Sequence, residues 1–134
     1  MKKIYLCGPM HCYEDDTKQW DENVVGWRDR ATEILELNGY SVLNPVVRPY
    51  TGANHVEIVE ADLEEVRKSD GVLAYLPVVP MAGSPMEIFF AAHILRLLVC
   101  AFPAVHTGPW FKYFTKQYER MDEAIAQLIR RYEP

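Results

Sequence analysis

Gly71-Val72-Leu73-Ala74-Tyr75-Leu76, and then Gly83-Ser84-Pro85-Met86-Glu87-Ile88, form the stretch whose reading decides the fold. The first run is short, apolar and bounded by a turn signal, which is the pattern of a buried strand. From Glu87 to Arg96 the chain reads as a helix with almost no polar face. A strand that hands over to a helix places Glu87 beyond the strand's carboxyl end, the edge where open α/β sheets bind ligands. A helix N-terminus favours an anion, so the pattern suits an ionised Glu at neutral pH. Such a Glu can act as a nucleophile at a sugar carbon. The same residue also reads as a first-turn acid that merely complements the helix dipole.

On either side, strands and helices alternate. Lys3 to Cys7 reads as a first strand, ending at Gly8-Pro9. Residues 10–16 form a loop, and Asp16 or Thr17 caps a helix running to about Leu37. Val24, Trp27, Ala31, Ile34 and Leu35 give that helix its apolar stripe, and Asn38-Gly39 is its stop signal. Tyr40 to Leu43 is a second strand, followed by the loop Asn44 to Asn54. A helix spans His55 to Lys68, and Ser69-Asp70-Gly71 turns into the third strand. After the Glu87 helix come a fourth strand, Leu97 to Phe102, an aromatic loop, Pro103 to Tyr118, and a helix from Arg120 to Tyr132. This order predicts a three-layer α/β fold, a parallel sheet of four to five strands flanked by helices.

The 134 residues suit one domain, 1–134, with a real core. A net charge of −5 and the lack of any Lys/Arg run exclude a broad nucleic-acid footprint. A small anionic substrate stays open, because a phosphate pocket needs only backbone N–H groups and one or two donors. Met1-Lys2-Lys3 could open a signal peptide, but the apolar run after it stops at Gly8-Pro9. Ile88 to Val105, interrupted by His93 and Arg96 and divided at Pro103, reads as a helix followed by a strand rather than a membrane span. Cys7, Cys12 and Cys100 follow no disulfide framework, which points to a reducing cytoplasm. Cys7 and Cys12 flank His11, yet the spacing fits no standard zinc pattern. Neither a metal nor an organic cofactor is expected.

The pieces Ile4-Tyr5-Leu6-Cys7-Gly8-Pro9, Asp62-Leu63 to Ser69-Asp70, and Gly83-Ser84-Pro85-Met86-Glu87-Ile88 resemble the nucleoside 2-deoxyribosyltransferase family and its nucleotide N-glycosidase relatives. Gly108-Pro109-Trp110 and Met121-Asp122-Glu123-Ala124 extend the resemblance over nearly the whole chain. Each piece is weak alone; the specificity lies in their order and spacing. The resemblance implies a Rossmann- or flavodoxin-like fold. It also implies that Glu87 attacks the anomeric carbon of a deoxyribose, that Asp62 assists the leaving base, and that Tyr5 orients the nucleophile. The chemistry is then that of a retaining glycosidase, with one ionised carboxylate and one proton donor. The substrate-binding positions it implies are Gly8, Pro9, Gly83, Ser84, Met86, His106, Thr107 and Trp110. The partners it implies are a nucleoside or nucleotide, a free nucleobase, and further copies of the chain in a homodimer or higher even oligomer with a shared active site.

Two departures leave nucleoside against nucleotide open. Many transferases carry a second acid before the nucleophile, whereas Val78-Val79-Pro80-Met81-Ala82 has none. Nucleotide-cleaving relatives place Ser and Gly donors near the 5′ end, where Ser84 and the helix-start N–H groups could serve a phosphate. A neighbouring subunit in the family contributes an Asn or Ser after strand four; here His106 or Thr107 stands in that loop.

Simpler roles stand beside these. Asp62 also fits an exposed helix acid within a charged face, Asp70 is a turn former before the strand, Tyr5 reads evenly as core, and Gly8-Pro9 fits a tight turn. His93 fits a core or interface position. Trp20, Trp27 and Trp110 fit packing, with Trp110 also able to stack on a base. Arg48 is a weak phosphate candidate. A hydrolase that gives the sugar to water, and a nucleotide-binding module without catalysis, are the rival functions, since the fold alone does not choose among them.

Overall fold

Short apolar runs build a five-stranded sheet. Its strands are β1 (Lys3–Cys7), β2 (Ser41–Leu43), β3 (Gly71–Tyr75), β4 (Leu98–Phe102) and β5 (Lys116–Gln117). The structure is a computed structural model describing residues 2–10, 25–47 and 54–132. Every pairing is parallel and the order is β2-β1-β3-β4-β5. The helices are α1 (Trp27–Leu37), α2 (His55–Lys68), α3 (Gly83–Phe89), α4 (Pro109–Phe114) and α5 (Met121–Tyr132). The flavodoxin-like α/β fold is as the strand–helix alternation predicts.

Side chains on a strand alternate between faces, and β1 feeds two cores. Ile4 and Leu6 pack with Ala31 and Leu35 of α1 and Ile125 and Leu128 of α5. Tyr5 and Cys7 pack on the other face with Val66 of α2 and Ile88 of α3. The helix ends follow their local chemistry. The Asn54 side chain accepts from Glu57 N–H at 3.0 Å and so caps α2. Gly39, at φ 83°, takes the left-handed turn that ends α1.

Three expectations need correction or restriction. α3 begins at Gly83, four residues before the expected start at Glu87. Pro85 tolerates this because the N–H groups of a first turn have no partner inside the helix. Glu87 therefore lies in the second turn. After Phe89 the helix widens into a π segment, Phe90–Ile94. The aromatic loop after β4 is also partly ordered: Gly108 precedes α4, Pro109 opens it, and β5 pairs with β4 at Cys100 and Ala101. The α1 cap at Asp16 or Thr17, together with His11, Cys12, Trp20, Val24 and Arg48, lies outside the described residues, as does part of the loop before Asn54. No helix among the described residues is long and apolar enough to cross a membrane.

Candidate active site

The sequence direction of the sheet reverses at β1, which has β2 on one side and β3 on the other. Open α/β sheets bind ligands at such a switch point. Strand alternation turns Tyr5 and Cys7 toward the α2/α3 face, and α3 brings Glu87 down onto them. The Tyr5 hydroxyl, separated from Glu87 by 82 positions in sequence, donates to Glu87 Oε2. Cys7 Sγ lies 3.9 Å from Glu87 Oε1 and 3.7 Å from the Ser84 carbonyl.

Burial first, then the charge of Glu87, push the Tyr5 hydroxyl far above its ordinary range, with Cys7 and Asp62 adding to the effect. Tyr5 therefore stays a neutral phenol that can donate. Burial and Glu87 likewise raise the Cys7 thiol, partly opposed by Arg28. Asp62, half-buried on α2, is near enough that its charge acts on both groups. Glu87 and Tyr5, which the sequence marks as catalytic candidates, thus meet directly, and the third candidate, Asp62, lies within electrostatic range of Tyr5. Cys7 joins them, although its spacing marks it only for metal and redox chemistry. Its signal was the period of two that puts residues 5 and 7 on one face.

The floor of the site is the β1 exit. Gly8 and Pro9 are buried there. A Cβ on Gly8 would lie 3.0 Å from the Tyr75 carbonyl oxygen and 3.2 Å from Trp27 Cζ2, so only glycine fits without displacement. Arg28, 1% exposed, holds this turn from α1. Its guanidinium donates to the carbonyls of Leu6 at 2.8 Å and Gly8 at 3.0 Å, and to Asn44 Oδ1 at 3.2 Å. Arg28 also lies over the Trp27 ring, 5.0 Å from its centroid. The sequence reading overlooked Arg28. Its signal was a cation lying three residues before Ala31 and seven before Leu35, on the apolar stripe of α1.

Other candidates are dispersed. Gly83 is exposed, and Ser84 is buried with its carbonyl facing Cys7. Met86 and Trp110 are 71% and 72% exposed. With Phe89 and Phe114 they line an apolar groove of about 330 Å³ between α3 and α4, whose lining does not include Glu87. The His106 ring Nε2 bonds the Leu76 carbonyl at 2.7 Å, while the His106 backbone pairs with the Gln117 amide. His106 thereby ties the loop after β4 to the β3 exit. Thr107 is exposed. His93 stacks on Phe89 with centroids 5.2 Å apart and meets Phe114 edge-on. Among the described residues no group of three or more His, Cys, Asp or Glu could hold a metal ion.

An acid and a phenol meet at the switch point of a 2-1-3-4-5 sheet, the place where open α/β folds bind ligands. Several solved structures share this shape. The 2-desoxiribosyltransferase of Leishmania mexicana matches with a TM-score of 0.70 at 16% identity, covering 99% of this chain and 100% of that one. The 2-deoxyribosyltransferase of Bacillus psychrosaccharolyticus matches at 0.64 and 18% identity, covering 90% and 88%. The Clostridium botulinum CMP N-glycosidase matches at 0.63 and 14% identity, covering 95% and 97%. The chain therefore shares the fold of 2-deoxyribosyltransferases and of a CMP N-glycosidase over nearly its full length. No family model and no curated protein matches it.

Proposed function

We propose that the protein cleaves the N-glycosidic bond of 2′-deoxynucleosides and transfers the sugar to an acceptor base. The observation that carries this reading is the Tyr5 hydroxyl donating to Glu87 Oε2. With one oxygen held, the carboxylate is fixed in orientation, and Oε1 is the atom that attacks C1′. The C1′–N bond breaks as the new C1′–O bond forms, through an oxocarbenium-like transition state. Asp62, across the cleft on α2, protonates the departing nitrogen. The acceptor base then attacks C1′ from the vacated side and gives its N–H proton to the Asp62 carboxylate, while the C1′–O bond breaks and regenerates the Glu87 carboxylate. Gly8, Pro9, Gly83 and Ser84 shape the sugar end of the site, and no cofactor enters the scheme.

A second reading, hydrolysis of a nucleoside 5′-monophosphate, draws on the apolar stretch from Val78 to Ala82. It supplies no acid to grip a free sugar hydroxyl. The exposed apolar surface of Met86, Phe89, Trp110 and Tyr113 supports assembly into a homodimer or higher even oligomer, with Met86, His106, Thr107 and Trp110 at or near the junction. Sedimentation of wild type against Tyr113→Asp tests that assembly. A cytoplasmic, single-domain enzyme completes the reading.

The functional test is chromatography of free base released from deoxynucleosides and their 5′-monophosphates, with and without a competing base. New nucleoside formed with the acceptor, and lost in Glu87→Ala, is the expected result. Base release without exchange makes the protein a hydrolase. No Glu87-dependent release from any substrate overturns the catalytic reading in favour of a binding module.

A further inference from the structure

On the α5 side of the sheet, opposite the face that holds Glu87, a pocket of about 460 Å³ is lined by Arg96, Lys116, Tyr118, Gln127 and Arg130 together with Leu97 and Leu98. Three cations converge there in a chain of net charge −5, and no acidic residue belongs to the lining. They come from three separate elements: the link between α3 and β4, then β5, then α5. The ion pairs seen among the described residues use other cations, Arg67, Lys68 and Arg120. Like charges gathered in one concavity repel each other, and a bound anion removes that repulsion.

The backbone at Arg96 points the same way. Its φ of 59° is left-handed and ends the π segment, a position that glycine fills at least cost. A glycine would serve the turn better, whereas an arginine there places a charge in the pocket. Tyr118 and Gln127 add neutral donors. Burial, the largest cause, raises the Tyr118 hydroxyl, and Arg130 opposes it, so the phenol remains a donor close to that guanidinium.

We propose that this pocket binds a phosphorylated small molecule through its phosphate, at a site separate from the Glu87 cleft. Guanidinium groups match the geometry of phosphate oxygens, and the pocket has room beyond a single phosphate.

Calorimetric titration at low ionic strength, using inorganic phosphate, pyrophosphate and ribose 5-phosphate as probes, tests the proposal. Saturable one-to-one binding is expected, weakening as salt is added. Arg96→Gly and Arg130→Ala should each weaken it by about tenfold, and Arg96→Lys, which keeps the charge but loses the guanidinium fork, should fall between wild type and Arg96→Gly. Arg96→Gly also relieves the left-handed strain, so its urea midpoint should hold or rise, and lost binding is then not lost folding. Tighter binding of ribose 5-phosphate than of pyrophosphate supports the site and names an organic phosphate as its ligand; the reverse order supports it and names an inorganic one. No saturable binding of any probe overturns the proposal. So does binding unchanged in the Arg96→Gly/Arg130→Ala double variant, which would place the anion elsewhere.

Discussion

Tyr5→Phe tests the proposed chemistry because it removes one oxygen and leaves the ring. Tyr5 is fully buried, so the retained ring keeps the packing of the α2/α3 face. Loss of the hydroxyl's bond to the half-buried Glu87 carboxylate should lower stability by about 1–3 kcal/mol, read as a lower urea midpoint. The two chemical steps should respond differently. In the first, Glu87 loses charge as the ester forms, so the phenol's bond weakens on the way to the transition state. Its removal costs orientation but returns nucleophilicity, and the two effects offset. In the second, the carboxylate is regenerated and the bond to Tyr5 strengthens as the sugar leaves. A hydrogen bond to a charged group contributes about 1.5–3 kcal/mol. At about 1.4 kcal/mol per tenfold, loss of that contribution slows breakdown of the deoxyribosyl–Glu87 ester by roughly 10- to 150-fold. Rapid-quench measurement of base release should show a burst absent or smaller in wild type. Intact-mass spectrometry should show the sugar adduct accumulating on the variant. Breakdown within about threefold of wild type, or an equal fall in both steps, would refute the assignment of Tyr5 to Glu87's leaving ability.

Other perturbations probe the scaffold. Gly8→Ala sets a methyl 3.0 Å from the Tyr75 carbonyl oxygen, and overpacking of that kind costs about 1–3 kcal/mol, read as a lower urea midpoint with reduced turnover. Arg28→Met leaves the Leu6 and Gly8 carbonyls without their buried donor. At about 1–3 kcal/mol for each of the two unsatisfied groups, a loss of roughly 2–6 kcal/mol is expected by chemical denaturation. A loss below about 1 kcal/mol would show that the guanidinium is not needed there. Burial pushes the Cys100 thiol up to about 12 from 9.0, opposed by Lys116. A raised folded-state value means that this contribution is complete below about pH 9. It falls by about 1.4 kcal/mol per pH unit as pH rises toward the folded value. Cys100→Ala should accordingly show a shallower loss of stability between about pH 9 and 12 than wild type.

Much of the scaffold was legible because its signals are local. Apolar runs marked β1, β3 and β4; Asn38-Gly39 marked the end of α1, and α2 spans His55–Lys68 as read from the sequence. The start of α3 was not legible, since glycine and proline at 83 and 85 argue against a helix that their first-turn positions in fact permit. β5 was hidden for another reason. Its two residues, Lys116 and Gln117, join by backbone pairing to β4 and carry no apolar run. The placement of Glu87 near a strand exit was readable from order alone. Its partner Tyr5 was readable only through the family resemblance, because their contact depends on how α3 settles over β1. Met86 and Trp110, marked by the same resemblance, line a groove that Glu87 does not share. Spacing along the chain carries no information about which side of a helix a cleft occupies.

The buried guanidinium of Arg28 makes β1 a wall common to two rooms. Its carbonyl partners, Leu6 and Gly8, flank Cys7, whose side chain faces the opposite layer beside Glu87. Anything that shifts α1 therefore tugs on the strand that carries Tyr5 and Cys7, without touching the cleft. For anyone grafting or evolving this site, α1 has to travel with β1, α2 and α3, because it braces the strand that carries Tyr5. Variants that alter turnover should then arise on the far side of the sheet as well as in the cleft.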